Sequence, residues 1–528
     1  MKAFRALLRV SMTALLRSIS PGRGGLALAV GVLALVPLLL SLSLGAALTA
    51  ALAPLGALDL LPGFLCLMGG LLAFFLTAFG AGGLLFGGKD NDLLLALPIP
   101  DWMLLASRLL AVYLENLFLF ALTLLPGMVV YSLAAARPLG LLLALPVAVF
   151  GAVVPAVPAA LVGWALTWVT SRARHSALLA NLGYGAVMLG CFALSIGINL
   201  STRTAVARGE LTVRALTDAF RGPMWLFGRM GAACTGAPAA LAVTLLAGVL
   251  PAAVFVGALQ GRYRRLLTRM SARAGHKKYR LTAQRRAVPL AALLRKEAGR
   301  FFNTPIYLFN TAFGLILLAA FTVFTCLQGD RMLTWLAGET GLALTGADLY
   351  GVTVGTVCLL LGTVSTTSVS LSLEGRCFWL LKSLPIPASR LLGAKVWFNL
   401  LVGWPVTAVC SAALWWSQGF TPLQGAALLL VSAGVAALTS LGGAAANLRF
   451  PRLDAANDTI VCKQSLSAVL GIFGGMALVG VGIGLYLGLL SALPLELYLL
   501  GCTAVLALGS LLLALWLRTA GPRYIREL

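Results

Sequence analysis

Apolar runs of about the length that crosses a bilayer as a helix, roughly 20 residues, recur along the whole chain and are separated by short polar or basic stretches. The pattern predicts twelve spans, near 26–51, 60–87, 109–133, 139–169, 177–199, 237–259, 308–327, 347–372, 396–416, 422–446, 466–490 and 495–517. The fourth run holds Pro146, Pro155 and Pro158, so it is expected to tilt or break. Residues 2–17 follow a different pattern. Phe4, Leu7, Leu8, Met12, Leu15 and Leu16 share one helical face, and Lys2, Arg5, Arg9 and Arg17 occupy another. That spacing predicts an amphipathic helix lying among lipid headgroups and ended by Pro21-Gly22. A second amphipathic, basic segment, 288–302, precedes the seventh span.

The two halves of the pattern share a motif. Residues 88–108 read GKDNDLLLALPIPDWMLLASR and residues 375–395 read GRCFWLLKSLPIPASRLLGAK. At a constant offset of 287, Gly88, Leu94, Leu97, Pro98, Ile99, Pro100, Leu104 and Leu105 recur as Gly375, Leu381, Leu384, Pro385, Ile386, Pro387, Leu391 and Leu392, while Lys89 and Arg108 become Arg376 and Lys395. Each copy falls between the second and third spans of its half. The expected architecture is an all-α polytopic membrane protein of about twelve helices. Two parallel six-helix repeats, 1–259 and 288–528, each follow an interfacial amphipathic helix, and a basic cytoplasmic linker, 260–287, joins them.

Composition agrees with a bilayer as the solvent. The chain has 528 residues, 60% hydrophobic and 10% charged, against about 25% charged in soluble domains. The net charge of +23 would suit nucleic acid, but the basic residues sit between apolar runs rather than in a basic domain with aromatics. They read as topology signals and lipid contacts. Of the 39 Lys and Arg, 32 fall on the side that holds both termini and 7 on the other. The positive-inside rule places both termini in the cytoplasm. The first apolar run is too long for the core of a cleaved leader and reads as a retained span. Nine cysteines without a C-x-x-C pair, and two distant histidines, indicate neither a disulfide framework nor a metal site.

Pro-Ile-Pro cannot continue a helix, because each proline lacks an N–H and constrains its predecessor. It fixes a bend. The apolar residues beside it, Leu93, Leu94, Leu95 and Leu97, and Phe378, Trp379, Leu380 and Leu381, are costly to leave in water. They could pack on lipid or on the bundle, as a plain connector would, or on a soluble partner that moves the spans.

At these residues the chain resembles bacterial ATP-binding-cassette exporter permeases of the type-2 class, in the fused two-times-six-span form. The resemblance rests on KDNDLLLALPIP (89–100), EGRCFWLLKSLPIP (374–387), LLRKEAGRFFNTPIYLFNTAFG (293–314) and NLRFPRLDAANDTIVCKQS (447–465). It implies an interfacial elbow helix, six spans per half, and a coupling helix between spans two and three that seats in a cleft on a cytoplasmic ATPase subunit, the ATPase being a dimer. By match, the coupling candidates are Lys89, Asp92, Leu97, Pro98, Ile99 and Pro100 in the first half. In the second they are Glu374, Trp379, Leu384, Pro385, Ile386 and Pro387. Cys377 and Phe378 replace Asp90 and Asn91 of the first copy, so the two docking surfaces are expected to be unequal. The motor would be a separate chain. The segment Gly83–Lys89 approaches a phosphate-binding loop, but Asp90 stands where a Ser or Thr must hold magnesium. The chain itself is therefore expected to be no enzyme and to bind no cofactor or metal directly, with ATP acting through the partner subunit. Its other partner would be membrane lipid, not nucleic acid.

Three further features bear on transport. Glu115 lies inside the third span, where a carboxylate could bind a cationic group or carry protons; alternatively, water or Arg108 reaches it from the cytoplasmic end. The run Thr363, Ser365, Thr366, Thr367, Ser368, Ser370 and Ser372 ends the eighth span, opposite Gly80-Ala81-Gly82-Gly83 in the second. Close helix packing is its expected use, with substrate contact the alternative. Asp454, Asp458 and Lys463 fall in a cytoplasmic loop and read as solvated residues facing the ATPase. A rival reading is an ion-coupled secondary transporter of twelve spans, which would ordinarily carry several intramembrane charges. A membrane enzyme acting on lipid-linked substrates would need clustered acids or histidines at one membrane face.

Overall fold

The apolar runs fold as helices. The computed structural model describes residues 38–39, 41–86, 91–170, 179, 181–187, 190, 213–273, 288–328, 346–455 and 458–528, and among these there is no strand. Ten of the described helical segments are long and apolar enough to cross a membrane, so the chain is an all-α, multi-pass membrane protein. The amphipathic helix expected at 2–17 lies outside the described residues, as do half of the span expected at 26–51 and most of that expected at 177–199. The chain separates into two compact units, one holding the described residues up to 273 and the other those from 288 to 528.

In the first unit the helices are α1 (Ser41–Leu52), α2 (Leu61–Phe86), α3 (Asn91–Ala96), α4 (Asp101–Ala134), α5 (Leu139–Gly151), α6 (Val153–Thr170), α7 (Val213–Arg221), α8 (Trp225–Cys234) and α9 (Pro238–Arg273). The fourth apolar run breaks where its prolines predicted strain, at Ala152 between α5 and α6. Its core gathers Leu61, Leu65, Phe120, Leu124, Met128 and Tyr131. The small residues expected to bring helices together do so. A Cβ placed on Gly163 of α6 would lie 2.6 Å from the Gly82 nitrogen of α2. Helix α9 continues well past its apolar part. Residues 260–273, read from charge as linker, are helical and bury Tyr263, Leu266 and Leu267. The charge pattern marks where α9 leaves the apolar region, not where the helix ends.

The second unit holds α10 (Pro289–Asn303), α11 (Pro305–Gln328), α12 (Gly346–Gly362), α13 (Thr367–Ser370), α14 (Phe378–Lys382), α15 (Ala388–Ser417), α16 (Pro422–Arg449), α17 (Asp458–Gln464), α18 (Leu466–Leu485), α19 (Leu495–Thr519) and α20 (Gly521–Glu527). Local chemistry sets several starts. Thr421 and Gln424 form a reciprocal capping box at α16, with Pro422 at its first position. Ser465 accepts the Ala468 N–H at 3.2 Å to begin α18. The amphipathic segment expected at 288–302 is α10, whose inner face buries Leu293, Glu297 and Phe301. The span expected at 347–372 is not one helix. It stops at Gly362, and Thr363–Thr366 are non-helical before α13 begins.

Candidate functional site

Both LPIP segments bend the chain in the same way. Pro100 caps α4 with φ −60° and ψ 139°, and Pro387 caps α15 with φ −62° and ψ 138°. The Ile99 N–H donates to the Leu97 carbonyl at 2.8 Å, and the Ile386 N–H donates to the Leu384 carbonyl at 2.7 Å. After the bend, Met103 and Arg390 donate back to Pro100 and Pro387 at 3.0 and 2.9 Å. The short helix before each bend presents apolar side chains outward. Leu93 is 68% exposed and Trp379 63%, and Leu97, Leu380 and Leu384 are exposed too. Pro98, Pro100, Pro385 and Pro387 are exposed, and Ile99 and Ile386 are half-buried. Asp92 sits in α3, whereas Lys89 lies outside the described residues.

Behind the second bend the chain is pinned from within. Phe378 is buried against Leu371, Leu391, Leu392 and Leu448. Gly375 has φ 58° and ψ −145°, a conformation that a side chain strains. It turns the chain so that its neighbour Glu374 points inward while Arg376 stays exposed. The Glu374 carboxylate is thus no surface group. Its side chain is 3% exposed, that of Glu297 3% and that of Lys395 2%. Lys395 Nζ donates to Glu297 Oε1 at 2.7 Å, to Glu374 Oε1 at 3.0 Å and to the Ser370 carbonyl at 3.0 Å. Arg300 Nη1 lies 2.9 Å from Glu374 Oε2, and Lys296 pairs with Glu374 Oε1. Burial lowers the pKa of the Lys296 ammonium, and Glu374 opposes that shift. Three cations and two carboxylates therefore bind α10, the turn at Glu374 and α15 into one piece.

The interrupted span lies beside this cluster. Its free backbone groups find side-chain partners, as non-helical backbone at membrane depth must. The Thr366 N–H and hydroxyl both donate to Asn399 Oδ1, at 2.6 and 2.8 Å. Asn399 Nδ2 donates to Ser440 Oγ at 2.6 Å. Thr367 Oγ1 donates to the Ser440 carbonyl at 2.8 Å, and Asn447 Nδ2 to the Thr367 carbonyl at 3.1 Å. The hydroxyl run packs against glycines. A Cβ on Gly443 would fall 2.5 Å from Thr367 Oγ1, and one on Gly471 2.5 Å from Ser368 Cβ. Just before the break, α12 and α18 touch backbone to backbone, since a Cβ on Gly475 would sit 2.0 Å from the Gly362 oxygen.

Three of the four stretches that carry the family resemblance meet here. Phe301, Tyr307, Phe398, Ala455, Ile460 and Val461 share one core. Phe301 packs edge-on against Tyr307 and Phe398, with ring centroids 5.3 and 5.5 Å apart. Asn310 Nδ2 donates to the Cys462 carbonyl at 2.5 Å. The Arg452 N–H donates to Ser372 Oγ at 2.8 Å, and Ser372 Oγ donates to Asn447 Oδ1 at 2.6 Å. Asp454 is exposed on the loop beside this core, whereas Asp458, also exposed, opens α17 and the half-buried Lys463 lies in its last turn, so these two are helical rather than on the expected loop.

The first bend is backed differently. Asn91 Nδ2 caps the end of α2 by donating to the Phe86 carbonyl at 2.7 Å, and Arg108 Nη2 donates to Asn91 Oδ1 at 3.2 Å. The extension of α9 closes the other side. Tyr263 Oη donates to the Leu85 carbonyl at 2.5 Å, Tyr263 and Trp164 pack on Phe86 with centroids 5.4 Å away, and Arg264 Nε lies 3.1 Å from Asp101 Oδ1. Glu115 is half-buried on α4, two turns beyond Arg108. Its neighbour Asn116 is fully buried and donates to Thr77 Oγ1 at 3.0 Å. Among the described residues no group of three His, Cys, Asp or Glu side chains is placed to hold a metal ion.

In comparison with known proteins, no family model matches the chain, and no curated protein or solved structure matches it.

Proposed function

We propose that the chain is the membrane-spanning permease subunit of an ATP-driven exporter of the ATP-binding-cassette type. It would work in the bacterial cytoplasmic membrane with a separate dimeric ATPase, with twelve spans in two six-span repeats and both termini in the cytoplasm. The carrying observation is the pair of LPIP bends. At the offset of 287, α3 and α14 begin at corresponding residues, as do α4 and α15, and the capping prolines share their torsions to within 2°. Each bend exposes apolar side chains on a short helix while its rear face is fastened to spans of its own unit. An exposed apolar element with a rigid backing suits a handle that a soluble motor grips. ATP acts through the partner, and no cofactor is bound by this subunit. The permease reading also gives the internal Glu374 a task, which is to keep the handle from moving independently of α10 and α15.

One observation favours the rival, an ion-coupled transporter: a span broken at Thr363–Thr366 and lined with hydroxyls, since such breaks hold ions in secondary transporters. Its position weakens that reading. Helix α12 runs 17 residues before the break, about 25 Å at ~1.5 Å per residue, which places the break near one end of the hydrocarbon core rather than at its middle.

Co-expression with a candidate ATPase and reconstitution in vesicles tests the proposal. Transport should require ATP, and Gly-Ser replacement of both LPIP segments should leave insertion intact while separating hydrolysis from transport. Uphill solute movement by the chain alone, driven by an ion gradient, would reject the exporter in favour of the rival.

A further inference from the structure

The first unit carries a groove of about 550 Å³ between the C-terminal ends of α6 and α9, lined by Trp164, Trp168, Arg262, Arg265, Leu266 and Arg269. No acidic side chain lines it. The three arginines are exposed and form no ion pair among the described residues, while Arg264, on another face, is the one paired with Asp101. Three arginines at steps of three and four share one side of a helix, with Cβ atoms roughly 5–6 Å from one to the next. They repel one another unless an anion lies between them.

The helix faces leading to the groove identify that anion. On α9, Val254 and Ala258 are exposed at the two four-residue steps before Arg262, and Arg265 and Arg269 follow on the same side. On α6, Leu161, Ala165 and Trp168 form an exposed ridge toward the same end. Both apolar ridges therefore lead into a basic, aromatic mouth. A soluble anion would need only the mouth. A phospholipid would use all of it, with acyl chains along the ridges, the phosphate on the arginines and the tryptophans at the level of the glycerol. Guanidinium groups suit phosphate because they donate two hydrogen bonds in one plane.

We propose that this groove binds one anionic phospholipid, and that the lipid braces α9 where it backs the first LPIP bend. The site is independent of whether the chain is an exporter.

The experiment is native mass spectrometry of the full chain, released from micelles doped equally with phosphatidylglycerol and phosphatidylcholine. The unaltered chain is expected to keep one phosphatidylglycerol after other lipids are stripped. R262Q/R265Q/R269Q should keep at least tenfold less, while R390Q/R523Q/R526Q, which removes the same charge from exposed sites in the other unit, keeps it. Equal retention by both variants, or equal loss from both, would overturn the proposal. So would displacement of the lipid by millimolar inorganic phosphate, which would make this a soluble-anion site. A second measurement needs no variant. Phosphatidylglycerol brominated on its acyl chains should quench tryptophan emission of the unaltered chain at lower mole fraction than the brominated phosphatidylcholine, and equal quenching would also overturn the proposal.

Discussion

Lys395 Nζ stands 3.0 Å from Glu374 Oε1, so the helix that follows the second proline bend is ionically bound to the turn that precedes it. The same ammonium holds Glu297 of α10 at 2.7 Å. One buried cation thus joins three elements separated by up to 98 residues of sequence.

Replacing Lys395 by methionine should leave two buried carboxylates without their shared cation. Removing one partner of a buried ion pair costs about 3–5 kcal/mol, and thermal unfolding in micelles should report a loss of that size. Adding E297Q to K395M should recover part of it, because the carboxylate that relied most on Lys395 is then neutral while Glu374 keeps Lys296 and Arg300.

Asn399→Leu should cost about 1–3 kcal/mol for each buried polar group it strands, with the Thr366 N–H the chief one. Ser440→Ala should cost less, since Asn399 would still hold Thr366. The same unfolding assay ranks the two variants.

Gly475→Ala places a methyl group where the Gly362 oxygen stands, and α12 and α18 must separate to admit it. Overpacking of this kind costs about 1–3 kcal/mol. Its neighbour Gly474 has nothing within 4 Å of the corresponding position. Gly474→Ala should be neutral or mildly stabilising, because alanine favours helix by about 1 kcal/mol.

Trp379→Ala and Leu93→Ala should leave stability within about 0.5 kcal/mol, as exposed positions do. On the proposed function they should weaken ATPase binding by about 2 kcal/mol, the scale of interface anchors, which is roughly 30-fold. Phe378→Ala should do the reverse and unfold the second unit by about 3–5 kcal/mol, because that ring is buried. Pull-down with the co-expressed ATPase, set beside unfolding, separates the two effects.

Length and apolarity made most of the spans legible, because burial in a bilayer demands about 20 apolar residues and little else. The bends were legible as well, since proline acts through its own backbone. The inward turn of Glu374 was not. Its burial depends on Gly375 and on partners 21, 74 and 78 positions away, Lys395, Arg300 and Lys296, and no local pattern encodes such a meeting. The interruption at Thr363–Thr366 was hidden for a similar reason. Hydroxyl residues can end a helix or stay within one, and Asn399, from another helix, decides between these outcomes here. Charge does not mark the end of α9, because Arg-rich sequence is as helical as Leu-rich sequence once it has aromatic and apolar residues to bury.

The cluster around Lys395 also limits how the second unit can respond to a push. A displacement of α14 cannot be absorbed in the turn beside it, because that turn is tethered to an amphipathic helix and to the foot of a span. The three must shift together or the salt links must part. Movement delivered at Trp379 would therefore reach the bilayer through two routes at once, one running up α15 and one spreading sideways through α10.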